Sequence, residues 1–372
     1  MALTKSEVLA SLEHVASPDG RALPQTGALS DIVVSNGKVF FSLTVDAAAV
    51  NAWEPVRRRA EAAVKALPGV ASVMVALTAE RAAGRPQPGA RSPAAAAAAQ
   101  RAQGTVGVPG VEAIIAVASG KGGVGKSTVA VNLALGLRDL GLRVGVLDAD
   151  IYGPSMPKLL AIKGKPQQTK DMRLIPMEAY GLKVMSIGFL IEEETPMIWR
   201  GPMVMAALTQ MLREVEWGEL DVMVVDMPPG TGDAQLTMAQ QVPLRGAVIV
   251  STPQDLALVD ARRGIAMFRR VNVPVLGIVE NMSYFVCPQC GTQSDIFGHG
   301  GARHEAERLG VPFLGEVPLH MDIRERSDDG LPVVATAPDG PHAEIFRLIA
   351  ARVRDEIAAG AGRAAPRIVI EA

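Results

Sequence analysis

The stretch Gly120-Lys121-Gly122-Gly123-Val124-Gly125-Lys126-Ser127-Thr128 has the residue types and spacing of a phosphate-binding loop. The pattern G-x-x-x-x-G-K-[ST] runs from Gly120 to Ser127. Glycines let backbone N–H groups close around phosphate oxygens, and the N-terminus of a following helix adds its positive end. In such a loop Lys126 reaches the β- and γ-phosphates and the Ser127 hydroxyl sits on Mg²⁺. The flanks argue against a chance glycine-rich turn. The apolar run Val111–Ala118 precedes the loop, and Val129–Leu137, apolar at helical spacing, follows it. That order is strand, loop, helix.

Three further groups carry chemistry. Asp226 closes the apolar run Asp221–Asp226 and is followed by Met227-Pro228-Pro229-Gly230-Thr231-Gly232-Asp233. A carboxylate at a strand end facing the loop can hold Mg²⁺, usually through water. The glycines and prolines after it suit a segment that senses the γ-phosphate. The plain alternative is a solvated strand-end aspartate. Asp148 and Asp150 close the run Arg143–Asp150, where capping of the next loop is the alternative role. Cys287-Pro288-Gln289-Cys290-Gly291 forms a C-x-x-C turn. Thiolates at this spacing share one metal or one cluster, although redox and zinc sites use it too. Two cysteines cannot complete a four-ligand site. His299 and His304 extend the spacing to C-x2-C-x8-H-x4-H, which could hold a single zinc. The gap is shorter than the zinc-finger norm of about twelve, and His304 falls at helical spacing with Glu305 and Arg308, as on a solvated helix face.

The elements that must position these residues follow from the patterning. The chain has 372 residues, enough for two or three domains, and its 48% apolar content supplies a sizeable core. The net charge of −2 argues against a general nucleic-acid-binding surface. No run reaches the roughly 18 apolar residues of a membrane span. Residues 1–20 carry Glu7, Glu13 and Asp19 without a long apolar core, unlike a secretory signal. Two cysteines in all fit a reducing, cytoplasmic setting. Residues 1–80 predict a small α/β domain. A helix over Ser6–Val15 places Val8, Leu9, Leu12 and Val15 on one face. A hairpin follows around Asn36-Gly37, then a helix over Trp53–Leu67 and a strand over Val70–Leu77. Residues 81–110, rich in proline, glycine and alanine, are the expected linker. Residues 111–358 alternate strands and helices, which predicts a doubly wound, mostly parallel α/β sheet with its ligand at the strands' carboxyl ends. Strands are expected at Leu182–Ile187, Asp221–Asp226, Gly246–Ser251 and Val275–Val279, and a helix over Pro202–Val215. Residues 359–372 form a tail.

Lys121 makes the loop K-G-G-x-G-K-[ST], which resembles the deviant Walker A family of P-loop NTPases, including partition ATPases, septum-site ATPases and the nitrogenase iron protein. The resemblance implies an ATP-dependent homodimer in which Lys121 reaches the partner's nucleotide. It also implies that Asp150 orients the attacking water, with Asp148 supporting the Mg²⁺ side. More specifically, residues 111–350 resemble the Mrp/ApbC-type iron–sulfur cluster carrier ATPases. The match lies in Gly120–Thr128, Asp148–Ser155, Asp226–Asp233, Glu280-Asn281-Met282-Ser283 with Cys287 and Cys290, Ile296–Gly301 and Phe313–Leu319. It implies binding of ATP with Mg²⁺ by Gly120–Thr128, hydrolysis with Lys121, Lys126 and Asp150 catalytic, and adenine recognition by Asn281. It further implies a [4Fe–4S] cluster on Cys287 and Cys290 of two chains, passed to apo iron–sulfur proteins or received from scaffold proteins. Mg²⁺ would rest on Ser127 and Asp226. Neither nucleic acid nor membrane is an expected partner. The N-terminal pattern resembles the metal–sulfur cluster biosynthesis domain but has no cysteine at Asp46-Ala47-Ala48-Ala49-Val50, which favours a docking or regulatory role. Two other functions share parts of these motifs: a positioning or partition ATPase, and a zinc-stabilised ATP switch without a cluster.

Overall fold

The computed structural model describes residues 4–30, 32–35, 38–46, 49–70, 72–80, 107–190 and 201–361. The chain divides into two compact units, a smaller one built on the N-terminal residues and a larger one that carries every motif described above. The expected linker falls mostly on residues 81–106, outside the described residues, as do residues 362–372 of the expected tail.

In the smaller unit the first helix is Lys5–Leu12, started by a capping box: the Thr4 hydroxyl accepts from Glu7 N–H and the Glu7 carboxylate accepts from Thr4 N–H. The helix stops short of the expected Val15, which is nevertheless buried just past its end. Strands β1 (Val33–Ser35) and β2 (Lys38–Asp46) pair antiparallel with Ser35 opposite Lys38. The turn residues Asn36 and Gly37 between them lie outside the described residues. Helix Val50–Lys65 leads to β3 (Ser72–Glu80), which runs parallel to β2. Phe41 and Leu43 of β2 meet Val8, Leu12, Val56, Ala60 and Val64 in one core. Each large side chain buried there contributes about 1.5–3 kcal/mol.

The larger unit holds β4 (Val111–Ala118), β5 (Val144–Asp148), β6 (Met177–Ala179), β7 (Leu182–Ser186), β8 (Leu220–Asp226), β9 (Gly246–Ser251), β10 (Val275–Val286), β11 (Gln293–Ser294) and β12 (Phe313–Leu319). They form one sheet in the order β11-β10-β9-β4-β8-β5-β7-β6, with β12 also on β10. All pairings are parallel except β6–β7 and β10–β11. The sheet is therefore mostly parallel, as expected. Its central strands are buried on both faces, which is why β4 and β8 are apolar without alternation. The chain leaves β4 for β5 and β7 on one side, returns through β8, and crosses to β9 and β10 on the other. β4 thus sits where the winding reverses, and the loop after it is where such sheets bind ligands.

Strand β10 differs from expectation. It continues past Val279 to Val286, because β12 keeps pairing with it through Asn281↔Val317 and Phe285↔Leu319. A register shift lies between those two pairs, with Met282 inside it in the left-handed region at φ 55°. Glu280, Asn281 and Ser283 break the apolar run that signals a strand, yet all three are buried. Among the described residues no helix is long and apolar enough to cross a membrane.

Candidate functional site

The loop after β4 turns into helix Lys126–Asp139, whose N-cap Gly125 has φ 78°. Gly122, Gly123, Gly125, Lys126, Ser127 and Thr128 line a cavity of about 430 Å³, and Asp150, Ser155 and Pro229 close it from the loops after β5 and β8. Gly120, Lys121, Val124, Asn281 and Asp226 are not among its lining residues. Lys126 is buried, and its Nζ lies 2.5 Å from Asp226 Oδ1 while donating to Ser127 Oγ at 3.2 Å. Asp226 and Ser127, the two side chains expected to hold Mg²⁺, therefore already face a single cationic point. Asp226 Oδ2 is buried with no hydrogen-bond partner among the described residues. A buried carboxylate oxygen without a partner is costly, and a hydrated divalent cation supplies what it lacks. The donor set fits Mg²⁺.

Asp148 stands beside the expected Mg²⁺ side and also holds the next loop. It is fully buried and opposite Asp226 in the β5–β8 ladder. Its Oδ2 accepts from Ser155 N–H at 2.9 Å, Met156 N–H at 3.1 Å and the Ser186 hydroxyl at 2.9 Å, and its Oδ1 accepts from Asp150 N–H at 3.2 Å. It holds the loop Asp150–Met156 in shape, as the capping alternative expects, while facing Asp226 across the ladder. Burial, followed by the Asp226 carboxylate, pushes its pKa up to about 7. Asp150 reaches the cavity wall half-buried. Its pKa is raised by burial, opposed by Lys126.

Lys121 points out of the cavity, its Nζ 3.4 Å from Gln254 Oε1. Asn281 lies beneath the loop, where its Nδ2 donates to the Val124 carbonyl at 2.8 Å. Its amide therefore braces the loop backbone. The approach is so close that a Cβ on Gly125 would lie 2.2 Å from Asn281 Nδ2. Gly125→Ala is thus expected to distort the loop twice over, through its positive φ and through this contact. Fluorescent-nucleotide titration should show affinity reduced at least about tenfold, while the far-UV circular dichroism stays unchanged.

Cys287 and Cys290 sit at the tip of the β10–β11 hairpin. Cys287 N–H donates to the Thr292 carbonyl at 3.0 Å, and Gly291 N–H donates to the Cys287 carbonyl at 2.8 Å. Cys287 is half-buried and Cys290 exposed. The Cys290 thiol is 3.2 Å from Thr292 Oγ1, and the hydroxyl, the Thr292 backbone and Cys287 together hold its pKa below the usual thiol range. The single-chain zinc arrangement is not assembled. His299 Nε2 is 3.1 Å from Glu316 Oε2, and His304 is exposed on helix Gly301–Leu309. Among the described residues, neither cluster of three close metal-ligating groups includes a cysteine.

The pair His299–Glu316 carries its own pH signature. Glu316 raises the His299 pKa, and Arg303 followed by His299 lowers that of Glu316 against the opposing effect of burial. Stability from a raised histidine pKa is present below its unfolded value and fades as pH rises through the folded one. His299→Gln should therefore lower the melting temperature more at about pH 6 than at about pH 8. The pair is partly exposed, so the difference corresponds to about 0.5 kcal/mol.

Sequence spacing missed Lys158, Ser327 and Asp328, which complete the cavity wall from helices Met156–Leu159 and Met321–Asp328. Glu280, inside the matched segment Glu280–Ser283, gains its role only in the fold: its carboxylate accepts from the Ser283 hydroxyl, Gly300 N–H and Ala302 N–H and so fastens β10 to the start of helix Gly301–Leu309. Only the tertiary fold brings these groups together. Ser155, by contrast, lies inside the D-x-D segment already singled out.

A phosphate loop at the winding reversal of a mostly parallel sheet, with Asp226 beside its lysine, defines a P-loop NTPase of the MinD/ParA type. The cell division ATPase MinD of Pyrococcus furiosus shares the fold with a TM-score of 0.50 at 21% identity, over 65% of this chain and 98% of that one. A nucleotide-binding protein of Archaeoglobus fulgidus, solved in complex with ADP, is 41% identical with a TM-score of 0.56, over 64% of this chain and 92% of that one. Residues 110–354 match the NUBPL iron-transfer P-loop NTPase family, and the chain belongs to it. Residues 5–75 match the iron-sulfur cluster assembly protein family. The iron-sulfur cluster carrier protein of Synechocystis is 44% identical over 365 residues, covering 96% of this chain and 99% of the relative. The carrier protein of Escherichia coli is 52% identical over 252 residues, or 68% of each chain. The iron-sulfur cluster transfer protein NUBPL of Dictyostelium discoideum is 55% identical over 250 residues, covering 67% of this chain and 77% of the relative.

Proposed function

We propose that this protein is an ATP-hydrolysing iron–sulfur cluster carrier that works as a homodimer, holds a [4Fe–4S] cluster between protomers and passes it to apo-proteins. One observation carries the reading. The exposed hairpin tip offers two thiols at cluster spacing, and no third ligand joins them among the described residues. A four-thiolate site then needs a second copy, with Cys287 and Cys290 of each protomer on a two-fold axis.

The nucleotide half follows from the cavity. Backbone N–H groups of the loop and the start of helix Lys126–Asp139 face the phosphates. Lys126 would turn from Asp226 to the phosphate oxygens, and Asp226 and Ser127 would hold Mg²⁺. Bound there, Mg²⁺ neutralises charge on the β- and γ-phosphates. Asp150 positions the attacking water from the wall. Lys121, turned outward, serves the partner's nucleotide. Strand β10 links the two halves physically, since Asn281 braces the loop and Cys287 stands at the end of the same strand. The N-terminal unit is a docking or regulatory domain, and the protein acts in the cytoplasm without nucleic acid or membrane.

Iron and sulfide analysis with oligomer mass on anaerobically reconstituted protein tests this reading. About four iron and four sulfide per dimer is the expected result. Zinc near one per chain at the cysteine pair, with a colourless monomer, would overturn it. A partition-ATPase role has no use for the cysteine hairpin.

A further inference from the structure

Away from the phosphate cavity's loops, His320, Asp322 and His342 meet at the starts of two helices, Met321–Asp328 and Pro341–Ala361. One ligand atom of each lies within 4.8 Å of the others. The two imidazole centroids are 4.4 Å apart and tilted by 46°. His320 caps helix Met321–Asp328, its Nδ1 accepting from Asp322 N–H at 3.2 Å, and Asp322 stands in the first turn. His342 stands in the first turn of helix Pro341–Ala361. Its Nδ1 is buried and has no hydrogen-bond partner among the described residues. Two tilted imidazoles and a carboxylate thus meet at one point, where His342 Nδ1 has no partner among the described residues.

We propose that His320, Asp322 and His342 form a second metal site, separate from the cysteine hairpin, for a borderline divalent transition metal such as Zn²⁺. Two ring nitrogens and one carboxylate oxygen select such an ion over Mg²⁺ or Ca²⁺. Ligand bonds of about 2.0–2.2 Å require the three groups to close in from their present separation. Asp322 is largely exposed and can follow by side-chain rotation. Water completes the coordination on the open side. The ion would tie the starts of two helices together. One of them, Met321–Asp328, ends in Ser327 and Asp328 of the cavity wall, so metal would stiffen that wall. The site does not depend on the cluster reading.

The test uses the full chain carrying Cys287→Ser and Cys290→Ser, stripped of metal and nucleotide, so that thiolates contribute nothing. Equilibrium dialysis against Zn²⁺ should give about one bound ion per chain. Adding His342→Gln should weaken binding at least about tenfold, with His320→Gln doing the same. A second readout needs no histidine variant. Zn²⁺ should protect His320 and His342, but not the exposed His304, from diethylpyrocarbonate, as read by peptide mass spectrometry. No zinc uptake by the double-serine chain, undiminished uptake after His342→Gln, or labelling of His320 and His342 that zinc leaves unchanged would each overturn the proposal.

Discussion

Cys287→Ala is expected to abolish cluster binding while leaving nucleotide binding intact. Reconstituted under anaerobic conditions, the wild-type dimer should carry about one four-iron cluster, with the visible absorption of thiolate-bound iron. The variant should be colourless, because removing one thiol per chain leaves two ligands of four, and a cubane loses its geometry with them. The tip carries no core packing, since Cys290 is exposed and Cys287 only half-buried. The melting temperature should therefore stay within about two degrees of wild type, and the affinity for a fluorescent ATP analogue should be unchanged. Full cluster occupancy in Cys287→Ala would sink the carrier reading. A joint loss of cluster and nucleotide binding would mean that the hairpin supports the fold, which its exposure argues against.

Lys126→Ala should be the most damaging single change to hydrolysis, and its damage should be double. Loss of a preorganised cationic donor on the transferred phosphoryl group lowers kcat by about 10²–10³-fold. The same change strands Asp226, which is fully buried, whose Oδ1 is held by the lysine at 2.5 Å and whose Oδ2 has no partner among the described residues. Removing one member of a buried ion pair costs about 3–5 kcal/mol. The double variant Lys126→Ala/Asp226→Asn should recover much of that stability and none of the activity, because the asparagine carries no charge to strand. Steady-state phosphate release and thermal melts of the two variants separate the effects. An active Lys126→Ala enzyme would remove the P-loop from the chemistry. A double variant no more stable than the single would show that the pair is not the source of the stability loss.

The two changes probe the ends of one path. Asn281 touches the loop that carries Lys126, and β10, which carries Asn281, ends at Val286, next to Cys287. The left-handed Met282 and the register shift beside it give that strand a local irregularity between the two contacts. A displacement of the loop on nucleotide binding has a packed route to the hairpin, which is the physical requirement for coupling between the sites.

The amino-acid sequence by itself determined whatever acts through near neighbours in the chain. Gly120–Thr128 states its chemistry because loop and helix start are contiguous. Asp226 and the pair Cys287/Cys290 are likewise legible, because a strand end and a tight turn present them within a few residues. The alternation of apolar runs was enough for the mostly parallel sheet. Tertiary structure alone decided contacts made across the sheet. Whether Asp148 faces the cavity or caps the loop Asp150–Met156 depends on the β5–β8 register and on Ser186 in β7. Asn281 ends under Val124 because β10 lies two strands from β4 in the order of the sheet, which no spacing along the chain encodes. His299 shows the same limit, since its partner Glu316 arrives on β12. Side-chain chemistry was thus readable wherever the chain itself sets the distance, and hidden wherever packing and strand order set it.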